Sequence, residues 1–211
     1  MYGENFLVYS YRVCNPNSPT GSLLPLSIIK KVAKNTSGLV VVDEAYVDFS
    51  NVTAVGLLSS YTNLIVTRTF SKAFAMAGFR IGYGLMHNEL ASEIQKCLLP
   101  FNVDRPSLIA LNALLDHSEI VRNRTEKICA ERDRIISELN TMNGMAAVHS
   151  HSNFFLVNTK YSPEKTFDYL ANNGILIRNV STYPGLESYV RITVGKPEEN
   201  DALIQAFKEM A

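Results

Sequence analysis

The stretch Leu39-Val40-Val41-Val42-Asp43-Glu44-Ala45-Tyr46 decides the architecture. Four consecutive apolar residues, three of them valines, suit a strand of a parallel sheet buried on both faces. The run ends in an acid. Ligands of open α/β sheets bind outside the carboxyl ends of the strands, so Asp43 sits where chemistry is expected. Working outward, Pro25 suits the first turn of a helix. Leu26, Ile29, Val32 and Ala33 form its apolar stripe and Gly38 stops it. Residues 6–13 mix aromatic and β-branched side chains and read as an earlier strand. Residues 55–58 suit a short helical turn, and residues 64–67 the next strand. Alternating strands and helices predict an α/β fold with a mostly parallel sheet.

That next strand feeds Thr67-Arg68-Thr69-Phe70-Ser71-Lys72-Ala73-Phe74-Ala75-Met76-Ala77-Gly78-Phe79-Arg80. The residues after Lys72 are almost wholly apolar, which predicts a poorly hydrated lysine. Such surroundings lower an amine's pKa and make it a nucleophile toward carbonyls. Thr69, Ser71 and Arg80 offer two hydroxyls and a guanidinium fork to a phosphate. An aldehyde that carries a phosphate, pyridoxal 5′-phosphate (PLP), would use all four groups. A structural or generic anion-binding role for the stretch is the competing reading.

The chain's 211 residues allow one sizeable core or two small domains. With 46% hydrophobic and 19% charged residues it reads as globular. Twenty basic and twenty acidic residues balance, with no basic stripe, so nucleic acid and anionic membrane are poor partners. No apolar run is long enough to span a bilayer, and Met1-Tyr2-Gly3-Glu4-Asn5 has no signal-peptide character. Cys14, Cys97 and Cys129 form neither a disulfide framework nor a metal knuckle and predict buried thiols in a reducing cytosol.

Cys14-Asn15-Pro16-Asn17-Ser18-Pro19-Thr20-Gly21 predicts a rigid loop in which an X-Pro bond is a candidate for the cis form. Residues 79–86 suit a glycine-rich strand, and Asn88 caps a helix to about Leu99. Pro100 and Pro106 bracket a hinge-like segment before a helix over 107–115. The longest helix runs from Ser118 to about Met142, with Val121, Ile128, Ile135, Leu139 and Met142 on one face. A smaller α/β unit follows: strand 153–158, helix 163–173 stopped by Gly174, strand 175–178, strand 189–194, and a last helix from Pro197. The domain boundary is expected between residues 117 and 118. His149 and His151 resemble a metal pair only superficially, and no metal site is expected.

Taken in order, five pieces resemble the fold-type I PLP-dependent aminotransferases, and within them the histidinol-phosphate aminotransferase family. They are Asn15–Gly21 as Asn-Pro-Asn-Ser-Pro-Thr-Gly, Val42-Asp43-Glu44-Ala45-Tyr46, Arg68-Thr69-Phe70-Ser71-Lys72-Ala73-Phe74, Gly78-Phe79-Arg80-Ile81-Gly82-Tyr83, and Val190-Arg191-Ile192-Thr193-Val194-Gly195. The resemblance implies part of a large PLP-binding domain at residues 1–117 and a small C-terminal domain at 118–211. It implies that Lys72 binds PLP covalently and carries the proton, that Asp43 pairs with the pyridinium nitrogen, and that Tyr46 bonds the ring's 3′-oxygen. Thr69, Ser71 and Arg80 would hold the phosphate. Arg191 would clamp the α-carboxylate of glutamate or 2-oxoglutarate. Arg178 lies where similar enzymes meet the distal phosphate of histidinol phosphate, or is simply an exposed arginine. Asn153 is a further residue to face the substrate. A cytoplasmic homodimer acting on amino acids, keto acids and a phosphorylated amine in histidine biosynthesis is implied as well.

Two departures bear on these roles. Where the family has asparagine before Pro-Thr-Gly, this chain has Ser18. Either the Ser18 hydroxyl or Asn17 takes its place at the cofactor. Nothing before Asn15 matches the family's upstream region, so the chain as given is expected to show little transaminase activity. The rival functions are an aromatic amino-acid aminotransferase, a threonine-phosphate decarboxylase, or a non-catalytic remnant that binds a partner or cofactor.

Overall fold

A computed structural model describes residues 9–210. It divides into two compact units: residues 9–16 with Leu23–Ser118, and Asn17–Ser22 with the chain from Glu119 onward.

The first unit opens with β1 (Ser10–Cys14), α1 (Leu26–Asn35), β2 (Leu39–Asp43) and β3 (Leu64–Thr69). β4 (Gly82–Met86), α2 (Asn88–Gln95) and α3 (Arg105–Leu115) follow. The sheet order is β1-β2-β3-β4, with β1, β2 and β3 parallel and β4 antiparallel to β3. Val40, Val42, Leu64 and Val66 meet Ile29 and Ala33 of α1 and Leu57 of a 3-10 turn in one buried cluster. Only that face of β2 is fully covered, since Leu39 and Val41 are half-buried. The expectation of a strand buried on both faces therefore holds for one face. The first strand begins at Ser10, and residues 6–8 of its expected span lie outside the described residues.

Three local expectations are corrected. Asn88 is the first helical residue of α2, not its cap; His87 precedes it in an extended conformation, and α2 ends at Gln95. Pro106 lies inside the first turn of α3, where its missing N–H costs nothing. That helix is capped by Asp104, which accepts the Ser107 N–H at 2.9 Å and the Ser107 hydroxyl at 2.7 Å. The strand expected at 79–86 starts at Gly82, because Ala77–Phe79 forms a 3-10 turn and Arg80 adopts a left-handed φ of 54°.

The second unit contains α4 (Ser118–Leu139), β5 (Met145–Ala147), β6 (Phe154–Thr159), α5 (Pro163–Asn172), β7 (Arg178–Asn179), β8 (Tyr189–Thr193) and α6 (Pro197–Met210). Its sheet runs β5-β6-β8-β7 with every neighbour antiparallel. Ile135 and Leu139 of α4, Phe155 and Val157 of β6, Leu170 of α5 and Phe207 of α6 form its core. Each fully buried apolar side chain of this kind contributes about 1.5–3 kcal/mol. The strand expected at 175–178 shrinks to the two residues of β7. Gly174, at φ 77°, closes α5, and the Ile175 N–H returns to the Leu170 carbonyl rather than to a neighbouring strand. Cys97 is exposed and Cys14 and Cys129 are half-buried, so the expectation of buried thiols fails.

Candidate active site

In the first unit the site is built on the carboxyl ends of β2 and β3. The ladder extends one residue past β2, where the Glu44 N–H donates to the Thr67 carbonyl at 2.8 Å. This fixes Asp43 at the rim. Its Oδ1 accepts the Ala45 N–H at 3.1 Å, and its Oδ2 pairs with Arg12 of β1. The Asp43 carbonyl accepts the Asn15 N–H at 2.9 Å. Asn15 is fully buried and ties down the proline loop: its Oδ1 accepts the Leu24 N–H at 2.7 Å. Both Asn15-Pro16 and Ser18-Pro19 are cis.

Beyond β3, the Thr69 hydroxyl donates to the Ser71 hydroxyl at 2.9 Å and accepts the Ser71 N–H at 3.1 Å. The next residue is Lys72, whose Nζ stands 5.2 Å from the centre of the Tyr46 ring. Lys72 is exposed, which corrects the expectation of a poorly hydrated amine. The reason lies in the turn. The Ala75 N–H bonds the Lys72 carbonyl and the Met76 N–H bonds the Phe70 carbonyl, while Ala75 takes a left-handed φ of 56°. That tight turn sends Ala73 and Met76 inward, Met76 to a cluster with Phe70, Ile81 and Leu111, and leaves the lysine facing water. Arg80 is also exposed and donates to the Ala77 carbonyl at 2.9 Å. Among the described residues no carboxylate pairs with Lys72 or Arg80.

This donor set fits PLP. An amine is open to an aldehyde, and a hydroxyl pair and a guanidinium without a carboxylate partner are open to a phosphate. A carboxylate at the neighbouring strand end suits a ring nitrogen. Arg12 escaped the sequence reading because an exposed cation on an edge strand carries no motif. Pairing with Asp43 raises its pKa, through the hydrogen bond first and charge attraction second.

The second unit collects the other group of candidates. Arg191 on β8 is half-buried. Its Nη1 lies 3.5 Å from the Ser18 hydroxyl and its guanidinium carbon 4.8 Å from the centre of the Phe154 ring. Its Nε is buried without a hydrogen-bond partner, and so are Asn153 Oδ1 and Ser152 Oγ. Such orphaned atoms are costly and mark a place where a ligand can satisfy them. Arg178 is exposed and stands opposite Arg191 across the β7–β8 pair. Asn17 and Ser18 belong to this unit, on a loop closed by Asn17 Nδ2 donating to Thr20 Oγ1 at 2.8 Å. The loop docks through Gly21, whose carbonyl accepts the His151 N–H at 2.8 Å. A Cβ on Gly21 would meet Ser150 Oγ at 2.1 Å, and its φ is 71°, so only glycine fits. The His149 and His151 ring centres are 4.7 Å apart, and among the described residues no three His, Cys, Asp or Glu side chains group to hold a metal.

Two α/β units, with a carboxylate and a lysine at the ends of parallel strands, fit the fold-type I architecture. The chain belongs to the aminotransferase family, Aminotransferase class I and II, which matches residues 12–207. It is 42% identical over 207 residues to histidinol-phosphate aminotransferase 1 of Carboxydothermus hydrogenoformans, covering 98% of this chain and 58% of that protein. It therefore spans under two thirds of that relative's length. Its fold is similar to the L-threonine-O-3-phosphate decarboxylase of Porphyromonas gingivalis, with TM-score 0.83 and 28% identity over 95% of this chain and 64% of that one. It is likewise similar to the histidinol-phosphate aminotransferase of Sinorhizobium meliloti in complex with PLP, with TM-score 0.83 and 28% identity over 96% and 58%.

Proposed function

We propose that this chain forms the PLP-holding and substrate-holding parts of a histidinol-phosphate:2-oxoglutarate aminotransferase. In this reading residues 1–117 are part of the large domain and residues 118–211 the small domain of a cytoplasmic homodimer. The observation that carries it is the Thr69–Ser71 hydroxyl pair at 2.9 Å, followed by Lys72 poised over Tyr46 at 5.2 Å. PLP, when bound, supplies the electron sink for breaking a bond at the substrate's α-carbon. Lys72 would hold the aldehyde through its Nζ and, once displaced by the substrate's amine, that freed amine would carry the α-proton. Asp43 would pair with the ring nitrogen, and Arg12 orients Asp43. Tyr46 donates to the 3′-oxygen. Thr69, Ser71 and Arg80 hold the phosphate and so fix the ring's position. Arg191 takes the substrate carboxylate and Asn153 faces the substrate, while the Ser18 hydroxyl or Asn17 contacts the cofactor's 3′-oxygen. Arg178 takes the distal phosphate of histidinol phosphate.

Incubating the protein with PLP, reducing with borohydride and mapping the labelled peptide tests this. The adduct is expected on Lys72 and on no other lysine; a different lysine overturns the assignment. The similarity to the threonine-phosphate decarboxylase favours a second reading, decarboxylation of a phosphorylated amino acid. Carbon dioxide released from L-threonine-O-3-phosphate, without transamination of histidinol phosphate, would replace the first reading with the second.

A further inference from the structure

Glu44 follows Asp43 directly, yet its side chain has no exposed surface. A buried carboxylate is tolerated only when its acceptor positions are used. Here Oε1 takes the Ala54 N–H at 2.6 Å, and the Thr53 hydroxyl lies 2.9 and 2.8 Å from the two oxygens. Arg68 donates through Nε to Oε2 at 3.0 Å, and its Nη2 lies 2.8 Å from the same oxygen. The same Nη2 donates to Thr53 Oγ1 at 2.8 Å, so three segments meet in one closed network. Tyr83 is the cross-strand partner of Arg68 on β4.

A buried ion pair is a poor way to gain stability, since apolar residues of similar size do as well. A guanidinium fork does fix direction. Neighbouring side chains on a strand point to opposite faces. Holding Glu44 inward therefore sets the orientation of Asp43, and holding Arg68 inward sets that of Thr69. We infer that Glu44 and Arg68 are a positioning pair that ties the end of β2 bearing Asp43 to the end of β3 bearing Thr69 and leading to Ser71 and Lys72. Neither touches the cofactor; each acts by keeping the ring-nitrogen partner and the phosphate hydroxyls at a fixed spacing. The inference rests on the PLP reading above.

The test titrates PLP by its visible absorbance into the protein and into Arg68→Lys, Arg68→Met and the double variant Glu44→Gln/Arg68→Met. Thermal midpoints are recorded without PLP. Arg68→Met leaves a buried carboxylate unpaired, so both midpoint and PLP affinity are expected to fall. Arg68→Lys keeps the charge and loses the fork; its midpoint should stay near that of the parent while PLP affinity drops about tenfold. The double variant removes the stranded charge and should recover the midpoint without recovering the affinity. If Arg68→Met does not fold, the other two variants decide. PLP affinity that follows the midpoint, with both restored in the double variant and both kept in Arg68→Lys, overturns the inference and leaves the cofactor reading intact. A parent protein that binds no PLP overturns the cofactor reading and the inference with it.

Discussion

The strand ends of the first unit and the β7–β8 edge of the second treat charge in opposite ways. At the strand ends each acid has its cation: Arg12 with Asp43, Arg68 with Glu44. At the β7–β8 edge two arginines face each other as register partners, and among the described residues no carboxylate pairs with either. Like charges directly opposite on a sheet are destabilising, and a buried guanidinium nitrogen without a partner adds to the cost. The first region uses its charges to hold itself in place. On the proposed reading, the second keeps its charges for an anion that comes from outside. The difference separates residues that orient from residues that bind.

The largest effect should come from Asp43. Asp43→Ala leaves the amine of Lys72 untouched, so the borohydride adduct should still form. Proton removal at the α-carbon should slow by about 10²–10³-fold, since the electron sink matters in the transition state rather than in binding. Single-turnover kinetics measure this step. Turnover near that of the parent would show that the strand-end carboxylate only orients Arg12, and would break the distinction from that side.

The arginines of the second unit sharpen it from the other side. Arg191→Ala should weaken the glutamate and 2-oxoglutarate half-reaction by about 1.5–3 kcal/mol, roughly ten- to a hundredfold in kcat/KM. Arg178→Ala should act mainly on the phosphate-bearing substrate, by a similar or smaller factor because it is exposed. Neither change should lower the thermal midpoint, since each removes one of two like charges that are register partners across the sheet. Equal losses in both half-reactions for both variants would mean that these arginines serve general stability.

Much of the first region was legible in sequence because parallel strands announce themselves. The valine run ending in Asp43 and the strand feeding Thr69 and Lys72 place these candidate residues at strand ends by topology alone. What local pattern could not supply was the sense in which the lysine turn faces. Seven mostly apolar residues suggested a dry amine, yet the turn at Ala75 buries Ala73 and Met76 and exposes Lys72. The second region was harder to read. Arg178 and Arg191 are thirteen positions apart, and only the β7–β8 register makes them opposite. Asn17 and Ser18 join Arg191 through a loop whose docking depends on one glycine against Ser150. Arg12, Glu44 and Arg68 went unassigned because ion pairs between strands leave no spacing in the sequence.

The smallest expected effect concerns the turn on which that loop docks. The His151 N–H bonds the Gly21 carbonyl at 2.8 Å, so its ring sits where the loop meets residues 149–153. Burial holds its pKa below the ordinary histidine value; the nearby charges of His149 and Arg132 push the same way, and Asp133 opposes them. Arg132 is fixed there, donating to the Ser152 carbonyl at 3.1 Å and to Asp133 at 2.8 Å. As pH falls through about 6.5 the unfolded chain takes a proton on this histidine while the folded chain stays neutral. The unfolded state then binds more protons, so stability declines on acidification until the depressed folded pKa is reached. Glu131 and Glu164, held below the ordinary carboxylate range by hydrogen bonds, titrate under this window. Thermal midpoints of the parent and of His151→Gln at about pH 7 and about pH 5.5 isolate the term. The parent should lose more on acidification than the variant, by about 2 °C or less for a chain of this size. An identical loss in both would clear His151 and leave the loop's docking indifferent to pH.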